Sequence, residues 1–473
     1  MSGYEAVIGL EVHVELKTGR KIFCTCPATF GAEPNTQVCP TCLGMPGTLP
    51  VLDETAVEFA VRAGLAFDCE IERVSWFDRK NYFYPDLPKG YQITQNDRPI
   101  CRGGSVPIET EEGVRRIRLT RIHLEEDAGK LIHRGDVTEI DCNRCGVPLI
   151  EIVSEPDIRT PEEAKAYLNS LRRILLYLGV SDCRMNEGSL RCDVNVSVRP
   201  CGSDSYGVRC EIKNLNSVNY VGRALEYEIE RQERVLSEGG VLEAETRRYN
   251  EERGITERMR KKETVVDYRY FAEPNLPPLC ISDEYIDSIG GSMPKLPAER
   301  VTELCDTYGL RRDIAEQLTQ TPALVRYFED CAANTEYKTL CANLFVSEII
   351  PQVGEECTER YIDPVYVGEV AALLGDGAIV SGNAKRLIHL SKERGESPLA
   401  IAENEHMLKI TDEAVLMPVV REALEADPRV LEDIRRGKES AKKKLLGYVM
   451  RATSGNADPI LTARLIDENV QGG

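Results

Sequence analysis

An imidazole flanked by two carboxylates on one side of an extended segment is the first chemistry this chain offers. In Val7–Lys17, V-I-G-L-E-V-H-V-E-L-K, a period of two sets Ile8, Leu10, Val12, Val14 and Leu16 on one face and Glu11, His13 and Glu15 on the other. Same-face neighbours on a strand stand roughly 7 Å apart, so the ring and the carboxylates can converge on a hard divalent cation. A solvent-wetted strand shows the same alternation in many proteins, and the segment taken alone leaves both readings open.

Three further stretches repeat the pattern. Arg118–Glu126, R-L-T-R-I-H-L-E-E, alternates Ile122 and Leu124 against His123 and Glu125 and runs into the acidic cluster Glu125, Glu126, Asp127. Ser189–Val198 sets Leu190, Cys192, Val194, Val196 and Val198 against Ser189, Arg191, Asp193, Asn195 and Ser197, and Val208–Lys213 sets Cys210 and Ile212 against Arg209, Glu211 and Lys213. If these strands share a sheet with Val7–Lys17, their polar faces combine into a concave surface of carboxylates, imidazole and cations, a mixture suited to metal and phosphate. The aromatic-rich stretch Trp76–Gln95 adds Arg79, Lys80 and Lys89, cations it can present to phosphate, although its tyrosines could equally serve packing alone. Neither G-x-x-x-x-G-K-[ST] nor G-x-G-x-x-G occurs, so phosphates would be held through a metal on carboxylates together with Lys and Arg.

Cys24, Cys26, Cys39 and Cys42 are spaced C-x-C-x12-C-x2-C, two close pairs of the kind that bring four thiolates onto one tetrahedral zinc ion. Four ordinary reduced cysteines are the alternative. The 17 cysteines are otherwise scattered, and the opening residues show no basic region followed by an apolar one, so export is not expected and the thiols read as reduced and cytosolic. No apolar run reaches about 18 residues, so no membrane span is expected. A net charge of −19 repels nucleic acid on average. The local exception is Arg435, Arg436, Lys438, Lys442, Lys443, Lys444 and Arg451 against a single Glu439, either a nucleic-acid contact or a solvated basic helix.

The elements that must position these groups follow from caps and periodicity. At 473 residues the chain exceeds a single core. Asp53–Gly64 reads as a helix capped by Asp53 and stopped by Gly64. Glu162–Leu178 reads as a helix with Thr160 at the cap, Pro161 at its first position and Gly179 as its stop, and Asn219–Glu238 as a third helix. Around Gly290, G-G-S-M-P-K-L-P reads as a linker ending the strand-rich part. Beyond it the pattern is of short amphipathic helices, then a second break at E-R-G-E-S-P-L-A-I-A-E-N-E and a final stretch of about seventy residues.

The motifs V-I-G-L-E-V-H-V-E-L, D-R-K-N-Y-F-Y-P-D-L-P-K-G-Y-Q-I-T-Q, H-L-E-E-D-A-G-K, R-C-D-V-N-V-S-V-R and E-I-K-N-L-N-S, in this order, resemble the B subunits of aspartyl/glutamyl-tRNA(Asn/Gln) amidotransferases. G-K-E-S-A-K-K-K-L-L-G-Y-V-M is similar to that family's C-terminal tRNA-binding module. The resemblance implies an α+β fold: a large sheet-containing, cradle-like catalytic domain over residues 1–293 with a zinc knuckle, then two all-helical domains, 294–405 and a tRNA-binding tail at 406–473. It implies a carbon–nitrogen ligase with glutamine as amido donor. ATP and Mg2+ would phosphorylate the side-chain carboxylate of Glu-tRNA(Gln) or Asp-tRNA(Asn). Ammonia from the family's A subunit, an amidase, would then displace the phosphate, in a cytoplasmic heterotrimer completed by a small C subunit.

Carried over position by position, Glu11, His13, Glu125, Asp193 and Glu211 would line the magnesium and ATP site, with Glu126 a lesser member and Ser189 and Arg191 beside the nucleotide. Lys80 or Lys89 would stabilise charge developing on transfer. Cys24, Cys26, Cys39 and Cys42 fit the zinc knuckle found in part of the family. The chain departs from the family at D-C-N-R-C-G-V-P-L-I-E-I, where Cys142 and Cys145 replace an expected aromatic and alanine, so this C-x-x-C reads as substitution rather than a second zinc site. Two other readings stay open on the residues: a zinc-containing tRNA-binding scaffold whose polar sheet face is only wet, and a free-standing ligase using ammonia directly.

Overall fold

In a computed structural model of the chain, which describes residues 3–261, 267–354, 357–426, 434 and 439–471, the strand Tyr4–Glu15 lies at the centre of a ten-stranded sheet. From one edge the order is Ile255–Lys261, Glu245–Asn250, Cys210–Leu215, Leu190–Pro200, Tyr4–Glu15, Pro148–Ser154, Gly113–Glu126, Cys101–Arg102 and Glu70–Ile71, with Ser105–Thr110 also paired to Gly113–Glu126. All of these pairings are antiparallel except that of Cys210–Leu215 with Glu245–Asn250. The four two-faced stretches therefore do share one sheet. A fifth strand, Pro148–Ser154, separates the opening strand from Gly113–Glu126.

Alternation decides which face is covered. Ile8, Leu10, Val12, Val14 and Leu16 are all buried in one apolar cluster, each withdrawal from water contributing about 2 kcal/mol. Against that face pack the helices Glu54–Ala66, Pro161–Leu178 and Val218–Ser237, through Ala60, Leu168, Leu171, Val221 and Leu225. Their N-termini are capped as the residue types require, by Asp53 to Thr55 N–H, Thr160 to Glu163 N–H and Ser217 to Tyr220 N–H. Gly179, at φ +69°, ends the second helix in the left-handed conformation that glycine permits.

Two expectations are corrected here. Gly64 does not stop the first helix, which continues to Ala66: a Cβ at Gly64 would lie 2.5 Å from Cys101 Sγ and 2.7 Å from Ile71 Cδ1, so the glycine permits a close approach of helix to sheet. Gly290 and Gly291 likewise lie within a helix, Asp283–Gly291, because the Ser282 cap and the buried Ile286 and Ile289 outweigh glycine's poor helix propensity.

The chain divides into two compact units, Met1–Leu296 and Pro297–Gly473. The second is helical among its described residues and holds two apolar clusters, one running from Val301 to Met407 and one from Leu416 to Ile466. In the latter, Lys443, Lys444 and Arg451 are exposed on the helix Glu439–Ala452, and Lys442 pairs with Asp467 at 2.6 Å. Arg435, Arg436 and Lys438 lie outside the described residues. Among the described residues no helix is long and apolar enough to cross a membrane.

Replacing Gly64 by Ala should lower the unfolding free energy by about 1–3 kcal/mol through overpacking against Cys101 and Ile71. Urea denaturation measures this, and an unchanged midpoint would show that the helix does not approach the sheet so closely.

Candidate active site

The face of the sheet turned away from the three helices is built row by row from register. His13 stands opposite Glu151 on one side and Arg191 on the other, and Glu151 in turn stands opposite His123. Since residues in register on adjacent strands share a face, the row His123, Glu151, His13, Arg191 is fixed by backbone pairing alone. Glu151 Oε2 lies 3.4 Å from His13 Nε2 and 3.3 Å from His123 Nε2. Glu125, two residues along from His123, reaches back to His13 Nε2 at 3.5 Å and accepts a hydrogen bond from Thr94 Oγ1 at 3.3 Å.

The charges in this row hold one another. Burial works against the protonated form of His13, yet the neighbouring Glu151 and Glu125 outweigh it and bring its pKa up to about 9. Burial likewise opposes charge on Glu151, but the two imidazoles keep its carboxyl well below the usual range. His13, Glu125 and Glu151 each offer a ligand atom within 4.8 Å of the others. That donor set, two carboxylates and an imidazole, suits a divalent cation competing with the proton on His13. His123 Nδ1 is buried without a hydrogen-bond partner.

A second cluster adjoins the first. Glu11 faces Asp193 across the sheet and accepts a hydrogen bond from Asn195 Nδ2 at 2.9 Å. Its carboxyl is raised above the ordinary value by burial first and then by Glu151, Asp193 and Glu211. Between Ile212 and Leu215 the strand carries one more residue than its partner does between Val194 and Cys192, and Asn214 takes up the left-handed conformation at φ +62°. The bulge aims Lys213 between two acids, with Nζ 2.6 Å from Asp193 and 3.0 Å from Glu211. Thr246 Oγ1 donates to Glu211 at 3.2 Å.

Over this face stands a small sheet of Asp78–Asn81, Tyr91–Thr94 and Phe271–Ala272. With the large sheet it encloses a recess of about 220 Å³ lined by Glu11, Lys80, Arg121, His123, Glu125, Glu151 and Tyr270 among others. Lys80 Nζ lies 5.0 Å from the centre of the Tyr268 ring. Burial disfavours its charge, but Glu125, Tyr270 and Glu151 hold its pKa above that of an ordinary lysine.

The structure thus brings Glu11, Glu125 and Lys80 to one recess, with His13 in contact with the Glu125 and Glu151 that line it and with Asp193 and Glu211 alongside. It does not bring Glu126 or Lys89 there. Glu126 follows Glu125 on the strand and points the other way, pairing with Lys89 and accepting from Ile93 N–H at 2.9 Å. Both line a separate recess shared with Cys24, Cys42 and Lys21. Ser189 is turned to its own loop, donating to Asp182 and accepting from Arg184 N–H at 2.8 Å. Arg191 is in the row but donates to Asp127 at 2.6 Å. Arg79 is held by Glu273 at 2.6 Å and stacks on Tyr91. Glu15 lies beside Asp127, burial and that neighbour pushing its carboxyl up to about 8.

Sequence reasoning missed Glu151, Thr94, Arg121 and Tyr270. Glu151 was findable as the lone charge inside the apolar run P-L-I-E-I-V. The others come into place only through long-range pairing.

The sulfurs of Cys24, Cys26, Cys39 and Cys42 lie within 4.8 Å of one another, which accommodates four thiolates at the roughly 2.3 Å of a Zn–S bond. Cys42 accepts from the Cys24 thiol and, at 3.2 Å, from Cys39 N–H; with these bonds its pKa falls to about 4 despite burial.

Two family models match the chain, one described as the GatB/GatE catalytic domain over residues 6–287 and one as a GatB domain over residues 326–470. Proteins named as the B subunit of aspartyl/glutamyl-tRNA(Asn/Gln) amidotransferase are similar over 99% of both chains: 50% identical in Caldanaerobacter subterraneus subsp. tengcongensis and 48% in Thermoanaerobacter pseudethanolicus. The protein of the same name from Geobacillus thermodenitrificans is 48% identical, again over 99% of each chain.

In metal-free protein the raised pKa of His13 contributes stability that is fully present below about pH 6.5 and is lost as the pH rises through about 9. Glu151→Gln removes the main opposing charge, so the His13 titration followed by NMR should move down toward or below the ordinary value, and the alkaline loss of stability should shrink with it. A midpoint remaining near 9 would refute the assigned cause.

Proposed function

The chain belongs to the GatB/GatE family, alongside the B subunits of aspartyl/glutamyl-tRNA(Asn/Gln) amidotransferases, and on that premise we propose that its open sheet face is the site where the side-chain carboxylate of a mischarged aminoacyl-tRNA is activated. The overall conversion is of Glu-tRNA(Gln) or Asp-tRNA(Asn) to Gln-tRNA(Gln) or Asn-tRNA(Asn), with glutamine as the amido donor. The observation that carries the reading is the meeting of Glu125, Glu151 and Lys80 in one recess, with His13 offering a ligand atom within 4.8 Å of both carboxylates. Phosphoryl transfer needs little beyond positioning and charge stabilisation, and these groups offer both.

In the proposed sequence the substrate carboxylate oxygen attacks the γ-phosphorus of ATP, the bond to ADP breaks, and an acyl phosphate results. Ammonia then forms the C–N bond, phosphate departs, and the extra proton leaves the nitrogen. A magnesium ion, when bound, would offset charge on the phosphates. His13, Glu125 and Glu151 fit the role of its holders, with Glu11, Asp193 and Glu211 completing the site. Lys80, its charge favoured by its neighbours, faces the charge developing on the transferred group. Arg191, fixed by Asp127, orients the floor of the site. Ser189, in the turn that leads into the Asp193 strand, supports the nucleotide side, and Lys89 with Glu126 borders the site from the neighbouring recess. Zinc on Cys24, Cys26, Cys39 and Cys42 would be structural, since four sulfurs leave no open position.

Ammonia would come from a glutaminase partner, the amidase or A subunit, with a small C subunit completing a cytoplasmic heterotrimer. Within the chain the reading divides residues into a catalytic domain at 1–293, a helical domain at 294–405 and a tRNA-binding tail at 406–473.

Glu11→Gln should lower ADP formation stimulated by Glu-tRNA or Asp-tRNA about a hundredfold or more, while tRNA binding is unchanged; full turnover in this variant, assayed with its partners, would sink the assignment. Ending the chain at residue 405 should weaken tRNA binding and flatten its dependence on salt, because phosphate contacts release counterions. Binding with the parent's affinity and salt slope would refute the role given to the tail.

A further inference from the structure

Lys21 is the only lysine among the described residues that is fully withdrawn from solvent, at 0% exposure. An ammonium in that position is costly unless a negative charge compensates it. No carboxylate among the described residues comes within ion-pairing distance of it. Glu126, which shares its recess, is taken by Lys89 and by Ile93 N–H. What Lys21 Nζ does meet is Cys42 Sγ at 3.6 Å and the carbonyl oxygen of Cys142 at 3.3 Å.

The backbone fixes this arrangement. Lys21 N–H donates to Cys26 O at 2.9 Å, and Ile22 N–H donates to Gly146 O at 2.9 Å, so the residue is clamped between the cysteine knuckle and the Cys142–Gly146 segment. That segment is closed by a hydrogen bond from Cys145 N–H to Cys142 O at 3.1 Å. A Cβ at Gly146 would sit 3.6 Å from Lys21 Cδ and 3.7 Å from Cys42 Cβ, so the turn packs directly on the lysine stem and on the knuckle. A divalent ion on four thiolates leaves a dianion, and in a partly buried site such a charge calls for a compensating cation.

We propose that Lys21 is the built-in counter-charge of the four-cysteine zinc site and that the Cys142–Cys145 turn is the part of the fold that holds it there. The inference rests on the reading that Cys24, Cys26, Cys39 and Cys42 bind zinc. It gives the second C-x-x-C a role without a second metal: its contribution is a carbonyl oxygen and a packing surface. Lys21 is accordingly a positioning residue for the metal, acting through Cys42.

The test compares full-length protein with Lys21→Met, which keeps the volume and removes the charge, and Lys21→Arg, which keeps the charge. Zinc content is measured as purified, and zinc retention by competition with a chromogenic chelator. Thermal melting is followed with and without zinc. The expected result is that Lys21→Met gives up zinc about 10- to 100-fold more readily, that Lys21→Arg stays closer to the parent, and that the drop in melting temperature caused by Lys21→Met is smaller without zinc than with it, because the zinc-loaded site carries the larger negative charge. Parent-like zinc retention in Lys21→Met overturns the counter-charge, as does equal destabilisation with and without zinc. A parent that purifies without zinc and cannot be loaded with it overturns the zinc reading itself. Should Lys21→Met fail to fold, Lys21→Gln repeats the comparison, keeping a donor but no charge.

Discussion

One carboxylate between two imidazoles organises the polar half of the sheet. Glu151 lies within 3.4 Å of both His13 and His123, and neither ring could be so sheltered without it. Removing a charged group from water is unfavourable unless the same volume supplies its opposite, and here the opposites arrive on three consecutive strands. The register that aligns His13 with Glu151 and Glu151 with His123 is therefore both a hydrogen-bonding pattern and an electrostatic one. A slip of the Pro148–Ser154 strand by one residue would send Glu151 into the apolar layer beneath and leave both rings without it.

That apolar layer explains why the site can be so polar. The three helices cover one face of the sheet only, and the core residues of the opening strand are satisfied entirely from that side. The other face is left to carry charge, and it does so in paired form: Lys213 between Asp193 and Glu211, and Arg191 on Asp127. What remains available in the recess is a small set of groups whose charges are poised by one another. The knuckle beside it gathers four cysteine sulfurs next to a buried lysine.

Much of this was legible in the amino-acid sequence because period-two alternation is a local property. It assigned Glu11, His13, Glu125, Asp193 and Glu211 to polar faces with no knowledge of pairing, and the helix cap at Thr160 and the glycine stop at Gly179 were equally local. The order of the strands was not legible. Glu151 sits on the strand that intervenes between the two histidines, a fact set by pairing across well over a hundred residues. Adjacent charges misled for a simple reason: Glu125 and Glu126 read as one acidic cluster, but neighbours on a strand face opposite ways, so only one of them enters the recess. Gly64 misled because a glycine that admits a close neighbour and a glycine that ends a helix look alike in one dimension.

The central position of the first strand has a consequence for the life of the chain before it is finished. Tyr4–Glu15 is made well before both strands that flank it, Pro148–Ser154 and Leu190–Pro200. Loops of that size close slowly relative to local helices. During synthesis the apolar side of the strand and both its open edges have no native partner to meet, which is the condition under which nascent segments aggregate or are taken up by chaperones. The strand that anchors the finished molecule is thus the one that must wait longest for its neighbours.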